Sequence, residues 1–263
     1  MSSERVSRGA FFGVAALLFA GSAAVTIEWS ASMSAIGTMS MPGGWTMSMA
    51  WMRMPGQTWT GAAASFLAMW SVMMVAMMLP SLVPMLSRYR QAIGGSGAAH
   101  AGMLTALVTL GYFVVWSALG MVVFPFGAAL TAAEMRLPAL ARAVPIMTGV
   151  VVLFAGAVQF TTWKARHLVW DHDARGHVRA LPPDAGTAWR HGLCLGLHCS
   201  YCCAGLTASF LVLGVMDLRA MAVVTAAITL ERLAPAGERA ARAVGIVGIA
   251  AGALMIVRAI GLG

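Results

Sequence analysis

The sequence predicts an all-α, polytopic transmembrane bundle of six to seven helices, forming one integral membrane domain over residues 1–263. Of these residues 60% are hydrophobic and only 10% are charged, and the mean hydropathy is +0.81. Soluble domains carry about 25% charged residues, so this chain has too few charges to cover a water-facing surface. Its apolar residues form long unbroken runs, which indicate helices rather than the alternating strands of a membrane barrel.

Seven apolar segments are candidates for the helices. They run over about 10–27, 61–79, 102–124, 143–160, 193–214, 218–230 and 243–261. The sixth is short for a span of about 20 residues, which leaves open whether it is tilted, re-entrant or longer than its apolar part. The first follows Arg5 and Arg8 and precedes the small residues 21–24. That profile fits a retained helix, which we expect, or a signal peptide.

Positive charge predicts the orientation of these segments. The chain has 17 Lys+Arg against 9 Asp+Glu, and cytoplasmic loops of membrane proteins are enriched in Lys and Arg. A cytoplasmic N-terminus places twelve of the 17 positive residues inside and five outside. The loop at 30–60 is then predicted outside and the polar loop at 161–192 inside. No basic run with interleaved aromatic residues is present, so the predicted surroundings are a lipid bilayer and not nucleic acid.

Small residues predict where helices approach one another closely. Gly192/Gly196 and Gly248/Gly252 are small-xxx-small pairs, which allow close helix contacts in lipid. No repeated half is found, so an inverted-repeat transporter is not indicated.

The predicted outer loop is rich in methionine. Three Met-x-Met pairs account for six of its seven methionines, which are Met33, Met39, Met41, Met47, Met49, Met52 and Met54. Thioether sulfur is a soft donor suited to Cu(I), and the indole rings of Trp45, Trp51 and Trp59 can cover a cation. We therefore predict a soft-metal capture site that includes Met47 and Met49. The alternative is an interfacial segment whose methionines and tryptophans lie among lipid headgroups.

The second apolar segment carries a row of methionines. Met69, Met73 and Met77 recur every four residues, and Met74 and Met78 form a parallel row. Side chains four residues apart lie on one helix face, so the row predicts a path along which Cu(I) passes between thioethers. The alternative is ordinary packing against neighbouring helices.

All four cysteines fall within ten residues of the fifth segment, toward its predicted inner side. On a helix, Cys194, His198 and Cys202 share a face at a spacing of four. Cys199 lies beside that face, and Cys203 points to the other side. Thiolate and imidazole groups this close together predict a soft-metal site.

The inner loop before this segment adds harder ligands. His167 and Asp171 are candidate metal ligands, and His172, Asp173 and His177 lie next to them. Imidazole suits Zn(II) as readily as copper. The predicted metal is therefore Cu(I), with Zn(II) as the alternative.

Two other interpretations of the cysteines stay open. The Cys-x-x-Cys spacing of Cys199 and Cys202 also serves thiol–disulfide exchange. Buried cysteines can instead be inert small hydrophobic residues.

Two runs carry a resemblance to a known family. Residues 70–80 follow the order Trp…Met…Ala-Met-Met-x-Pro, and residues 199–203 read Cys-x-x-Cys-Cys. Gln159, Lys164, residues 214–218 and the pair Glu231–Arg232 occupy further family-like positions. From about residue 66 onward the chain resembles the bacterial predicted metal-binding integral membrane proteins, a domain of unknown function.

The resemblance implies metal binding, a multi-helix fold and the bacterial inner membrane. The chain departs from the family pattern in two ways: His167 and Asp171 (or His172) replace two cysteines, and Ala204 replaces a tryptophan. The ligand set is therefore harder than that of the family, which leaves the identity of the metal open.

The function predicted from these features is soft-metal handling by ligand exchange. Outer methionines collect Cu(I), the Met73/Met77 face passes it on, and Cys199, Cys202 and His198 receive it. The outcome is transport or delivery to a copper chaperone or copper enzyme, and neither a catalytic nor an organic-cofactor site is predicted. Glu231 is expected at an inner helix end, so no buried carboxylate relay of a proton-coupled transporter is expected. The alternatives are a membrane thiol–disulfide oxidoreductase that uses Cys199 and Cys202, and a non-catalytic membrane subunit.

Overall fold

The fold is known from a computed structural model that describes residues 2–36, 39–41, 45–47, 49–53, 56–93, 97–166 and 182–261. These ranges contain seven long helices: α1 (Ser2–Ile36), α2 (Trp59–Ala92), α3 (Ala98–Arg136), α4 (Pro138–Val158), α5 (Ala185–Leu213), α6 (Leu218–Leu233) and α7 (Gly237–Gly261). All of them except α6 are long and apolar enough to cross a membrane. The predicted all-α polytopic bundle is therefore confirmed, and the protein is a multi-pass membrane protein.

The helices extend beyond their apolar middles to residues that cap them. The side chain of Thr58 accepts a hydrogen bond from the Gly61 N–H at 3.1 Å, and Asp184 accepts one from the Thr187 N–H at 2.9 Å. Each bond satisfies a backbone donor of the first helical turn. The hydrogen bonds from Thr187 also lower the pKa of the exposed Asp184 carboxyl. The hydropathy pattern alone did not predict these polar helix ends.

Helix α2 lies at the centre and packs against α1, α3 and α6. Around it, glycines bring two helix pairs into close contact. A Cβ at Gly196 would lie 2.9 Å from the Tyr112 carbonyl oxygen, and one at Gly192 would meet the backbone of Val108. Because both residue numbers rise together, α3 and α5 run parallel. This contact agrees with the packing role predicted for Gly192 and Gly196.

Helices α4 and α7 form the second close pair. A Cβ at Gly248 would lie 3.1 Å from the Gly156 Cα, and one at Gly252 would lie 2.7 Å from the Gly149 carbonyl oxygen. The residue numbers of α7 rise as those of the contacted residues in α4 fall, so these two helices are antiparallel. This arrangement likewise agrees with the predicted Gly248/Gly252 pair.

Helix α6 returns the chain from one end of the bundle toward the other. Just before it, the Met216 carbonyl accepts a hydrogen bond from Ser30 Oγ, near the end of α1, at 2.8 Å. Near its own end, Arg232 reaches Met85, in the last part of α2. Since α7 then runs antiparallel to α4, the N- and C-termini lie at opposite ends of the bundle.

A short hairpin covers the end of the bundle where α4 begins. Strands β1 (Met39–Met41) and β2 (Trp45–Met47) are antiparallel, with Met39 opposite Met47 and Met41 opposite Trp45. The indole N–H of Trp45 donates to the Ala141 carbonyl at 2.9 Å, and Met41 is buried against Ala141. A 3-10 turn (Met49–Trp51) follows, and the ring of Trp51 packs on Phe66 of α2.

Candidate metal centre

The cysteines lie in the middle of helix α5 and not toward its inner end. Cys199 is the central residue of Ala185–Leu213. Cys199, Cys202 and Cys203 are buried, whereas Cys194 is exposed, and none of the four forms a disulfide. The Sγ atoms of Cys199 and Cys203 are 3.9 Å apart. Cys199 and Cys203 therefore form a close pair of buried thiols one helical turn apart, and Cys202 is buried beside Cys203.

This pairing differs from the grouping expected from the sequence. The sequence grouped Cys194, His198 and Cys202 and placed Cys203 on the opposite side. In the structure Cys194 is exposed and His198 is half-buried. In the described part of the chain, no three His, Cys, Asp or Glu side chains are placed to hold a metal ion.

The packing of α5 on α3 gives the reason for this pairing. Gly192 and Gly196 form the close contact with α3, and Cys199 and Cys203 continue that row at spacings of three and four residues. Residues spaced in this way share one face of a helix. The glycines therefore turn both thiols into the bundle and leave Cys194 outside it.

The sulfur of Cys199 accepts hydrogen bonds from two other helices. The Tyr112 hydroxyl, on α3, donates to it at 3.0 Å, and Arg232 Nη1, on α6, donates to it at 2.9 Å. Arg232 also donates hydrogen bonds to two side chains of α2. Its Nη2 lies 3.1 Å from Met85 Sδ, and its Nη1 lies 3.5 Å from Ser81 Oγ. Four helices thus meet at the Cys199 thiol.

A buried ion pair lies next to the cysteines. The Lys164 ammonium is 2.7 Å from a Glu231 carboxylate oxygen, and both side chains are at most 2% exposed. Gln159 donates to the other oxygen of Glu231 at 2.8 Å, and Lys164 donates to the Cys202 carbonyl at 2.7 Å. Burial alone lowers the pKa of Lys164, but its electrostatic interactions with Cys202 and Glu231 outweigh this effect, so the pKa is raised.

Glu231 is therefore a buried carboxylate, which its expected position at an inner helix end did not predict. Glu231 lies near the end of α6, but α6 packs between α2, α5 and α7, so its end is inside the bundle. A carboxylate is tolerated there because a cation and an amide satisfy it. In the sequence, Gln159, Lys164 and Glu231 stood out only by their family-like positions. Their contact in the folded protein could not be predicted from their order along the chain.

The methionine row of α2 is buried as a whole. Met73, Met74, Met77 and Met78 are at most 1% exposed. They share one apolar cluster with Cys199, Cys202 and Cys203. From Met69 to Met85 the methionines of α2 extend over roughly 24 Å at 1.5 Å per residue. The central position of α2 buries residues on several of its faces. Burial of the methionine row is therefore consistent with a Cu(I) path and with ordinary packing against neighbouring helices.

The remaining predicted ligands are placed only in part. Met47 lies in β2 and Met49 in the 3-10 turn, and their side chains fall outside the described part of the structure. His167 and Asp171 lie outside the described residues altogether. In the hairpin, Met39 is 42% exposed while Met41 is buried. Most of the predicted metal ligands whose side chains the structure describes are therefore sulfur ligands.

The donor set fits a soft ion. Cys199 and Cys203 bring two thiols together, and thiolate ligands suit soft metal ions such as Cu(I).

A comparison with known protein families gives a match to a copper-related family. The profile of the family PpoB2, whose description is copper chaperone, matches residues 67–255. Comparisons with curated proteins and with solved structures give no match. The matched region begins in α2 and ends in α7, so it contains the α2 methionines, the three buried cysteines and the Lys164–Glu231 pair. Because it covers well over half of the chain, the protein belongs to the PpoB2 copper chaperone family.

Proposed function

We propose that the protein carries Cu(I) as its cargo on the thiol pair of Cys199 and Cys203, inside the membrane bundle. The observation that carries this proposal is the 3.9 Å separation of the two buried sulfur atoms. Two metal–sulfur bonds of about 2.3 Å each span that distance without movement of the helix. Thiolate ligands select copper in its Cu(I) state.

Cu(I) reaches this pair along sulfur donors. The hairpin holds an exposed thioether at Met39 and a buried one at Met41. The α2 methionines continue from Met69 past the level of Cys199 to Met85. At every step one soft donor replaces another, and methionine needs no deprotonation. Copper then passes to a copper protein of the bacterial inner membrane, in which the N-terminus of the chain is cytoplasmic.

The alternative functions make less use of this geometry. A thiol–disulfide oxidoreductase must bring a substrate thiol to Cys199 or Cys202, yet these residues are 0% and 3% exposed. A non-catalytic subunit needs no pair of facing thiols. Both alternatives predict that copper binding does not depend on Cys203.

The test is an anaerobic Cu(I) titration of the detergent-purified protein against a competing Cu(I) chelator. We expect one tightly bound copper, lost when Cys199→Ser and Cys203→Ser are combined. Cys194→Ser serves as the matched substitution on the same helix, and it should retain the copper because Cys194 is exposed.

Four results would contradict the proposal. Copper that survives in the double variant places the site elsewhere. Loss in the Cys194→Ser variant restores the face shared with His198 and Cys202. Tight Zn(II) without Cu(I) moves the site toward the harder ligands His167 and Asp171. A protein without metal whose Cys199 and Cys202 cycle between dithiol and disulfide is an oxidoreductase.

A further inference from the structure

Four aromatic side chains stack at the hairpin end of the bundle. The ring centroid of Phe66 on α2 lies 5.1 Å from that of Trp51 and 5.9 Å from that of Trp70. It also lies 5.1 Å from that of Phe124 on α3. Trp70 is held in place further, because its indole N–H donates to the Trp116 carbonyl at 2.8 Å. Aromatic rings at these separations attract one another in addition to burying apolar area.

This aromatic stack lies over the outer end of the buried methionine row. Its α2 members continue into the methionines at spacings of three and four residues, in the order Phe66, Trp70, Met73 and Met77. Residues at these spacings share one face of a helix. All four belong to the same apolar cluster as Cys199. An ion that enters the row from the hairpin therefore meets the aromatic rings first.

Trp51 is the member of the stack that no long helix carries. It ends the 3-10 turn between the hairpin and α2, and it is half-buried. Its indole lies against Gly127 of α3, where an added Cβ would be 2.8 Å from the indole Cδ2 and closer still to the six-membered ring. The indole fits there because residue 127 is a glycine.

The residue after Trp51 belongs to the hairpin. Met52 packs against the small cluster that Met41 forms with Ala141, as the indole of Trp45 does. Two consecutive residues thus contact the core of the bundle on one side and the thioether-bearing hairpin on the other. Because a planar peptide unit joins them, a displacement of Met52 is transmitted directly to Trp51.

We propose that Trp51 is the gate of the copper path: its indole on Gly127 closes the outer end of the methionine row, and soft-metal binding at Met41 and Met52 withdraws it. This proposal rests on the proposed function. Two thioethers must turn toward one ion to bind it, so Met52 moves and Trp51 moves with it. Once the ion has passed, burial of the indole against Phe66 closes the path again.

The experiment measures the rates of Cu(I) loading and release by stopped-flow mixing, on detergent-purified protein, and the affinity by chelator competition. Trp51→Ala removes the ring, and Gly127→Ala displaces it. We expect Trp51→Ala to speed loading and release alike, by about tenfold or more, because the closed position loses its ring contacts. The affinity should stay unchanged, since a gate alters the barrier and not the end states. Gly127→Ala should act in the same direction, and Trp51→Phe, which keeps a ring, should stay close to the wild type.

Two matched substitutions serve as controls. Trp59→Ala removes a tryptophan that is 57% exposed at the start of α2. Gly102→Ala adds a methyl group to α3 at a position where the described part of the structure leaves open space. Neither substitution should change the two rates.

The link between Met52 and the gate has its own test. Met52→Leu should slow loading of the wild type more than it slows loading of Trp51→Ala, because the second protein has no gate to open. Equal slowing in the two backgrounds would show that Met52 does not act through Trp51.

A further measurement does not depend on copper. Methylmercury, a soft thiol-directed cation, labels the buried cysteines of the metal-free protein in a Cys194→Ser background. Labelling should be faster in Trp51→Ala and in Gly127→Ala than in the background alone.

The outcomes separate this proposal from the proposed function. An unchanged loading rate in Trp51→Ala overturns the gate, and so does a change in affinity that accounts for the change in rate. If Trp51→Ala does not fold, Gly127→Ala decides in the same way. A wild type without cysteine-dependent copper overturns the proposed function, and the methylmercury rates then decide whether Trp51 closes the bundle.

Discussion

The Lys164 ammonium lies 2.7 Å from the Glu231 carboxylate, and this buried pair joins the segment after α4 to the end of α6. Since Glu231 is followed directly by Arg232, the pair also fixes the part of α6 that presents Arg232 to Cys199. Removing one partner leaves the other charge buried and unpaired. A buried pair that is broken in this way costs about 3–5 kcal/mol.

We therefore expect Glu231→Gln to lower the free energy of unfolding by about this amount, measured by titration with a denaturing detergent. Combining it with Lys164→Met should restore part of the loss, because no unpaired charge then remains. The matched control is Glu238→Gln. The Glu238–Arg242 pair is 3.9 Å apart and more than half exposed, so its loss should cost less than about 1 kcal/mol. Equal effects at Glu231 and Glu238 would refute the structural role of the buried pair.

A second prediction concerns the contact between α3 and α5. Gly192→Ala places a methyl group against the backbone of Val108, which cannot yield as a side chain can. We expect a loss of about 1–3 kcal/mol from overpacking. Copper binding should weaken as well, since the same interface brings Tyr112 to Cys199.

The control for this substitution lies on the same helix. At Gly205 an added Cβ meets Ala155 at 3.5 Å, an ordinary contact. Gly205→Ala should therefore not destabilise the protein, because alanine is favoured in helices by about 1 kcal/mol. Both stabilities can be read from one detergent titration. A tolerated Gly192→Ala would mean that α3 and α5 are not in close contact.

A third prediction concerns the outer hairpin. Replacing Met39 and Met41 together by leucine removes two thioethers and keeps their apolar volume. If the hairpin captures copper, loading of Cys199 and Cys203 should slow while the equilibrium affinity stays unchanged. Stopped-flow mixing with Cu(I) measures the rate, and Met103→Leu, on the exposed surface of α3, is the control. An unchanged rate would leave the hairpin an interfacial element without a role in capture.

A fourth prediction concerns the number of crossings. Alkaline phosphatase fusions are active only outside, where their disulfides form. We expect activity after Leu137, between α3 and α4, and none after Pro182, before α5. Activity after Gly261 is also expected, because α6 returns the chain before α7 begins. If the fusion at Leu137 is active but the fusion at Gly261 is inactive, α6 does not cross the membrane.

Much of the fold could be predicted from hydropathy. All seven apolar segments correspond to helices, including the short sixth one, which became α6 (Leu218–Leu233). Lipid selects long apolar helices regardless of their neighbours, so the signal is local. The helix ends were harder to predict. Caps such as Thr58 and Asp184 are polar, and a hydropathy pattern ends before it reaches them.

The cysteine face illustrates an intermediate case. Gly192, Gly196, Cys199 and Cys203 form a row at helical spacing that is visible in the sequence. Which side of α5 is buried nevertheless depended on the contact of Gly192 with Val108 of α3. Without that contact, the row through Cys194, His198 and Cys202 was equally consistent with a metal site.

The sequence by itself determined that this protein is a helical membrane bundle and that it holds thiols and thioethers at helical spacing. Hydropathy and spacing within a helix are properties of neighbouring residues, so they need no knowledge of the fold. Only the tertiary structure showed that Arg232 lies between Cys199 and Met85, and that Lys164 meets Glu231. These partners come from different elements, and their meeting depends on how the helices pack around α2. The physical reason is that burial in lipid acts on each helix separately, whereas a site is made by side chains that several helices bring to one point.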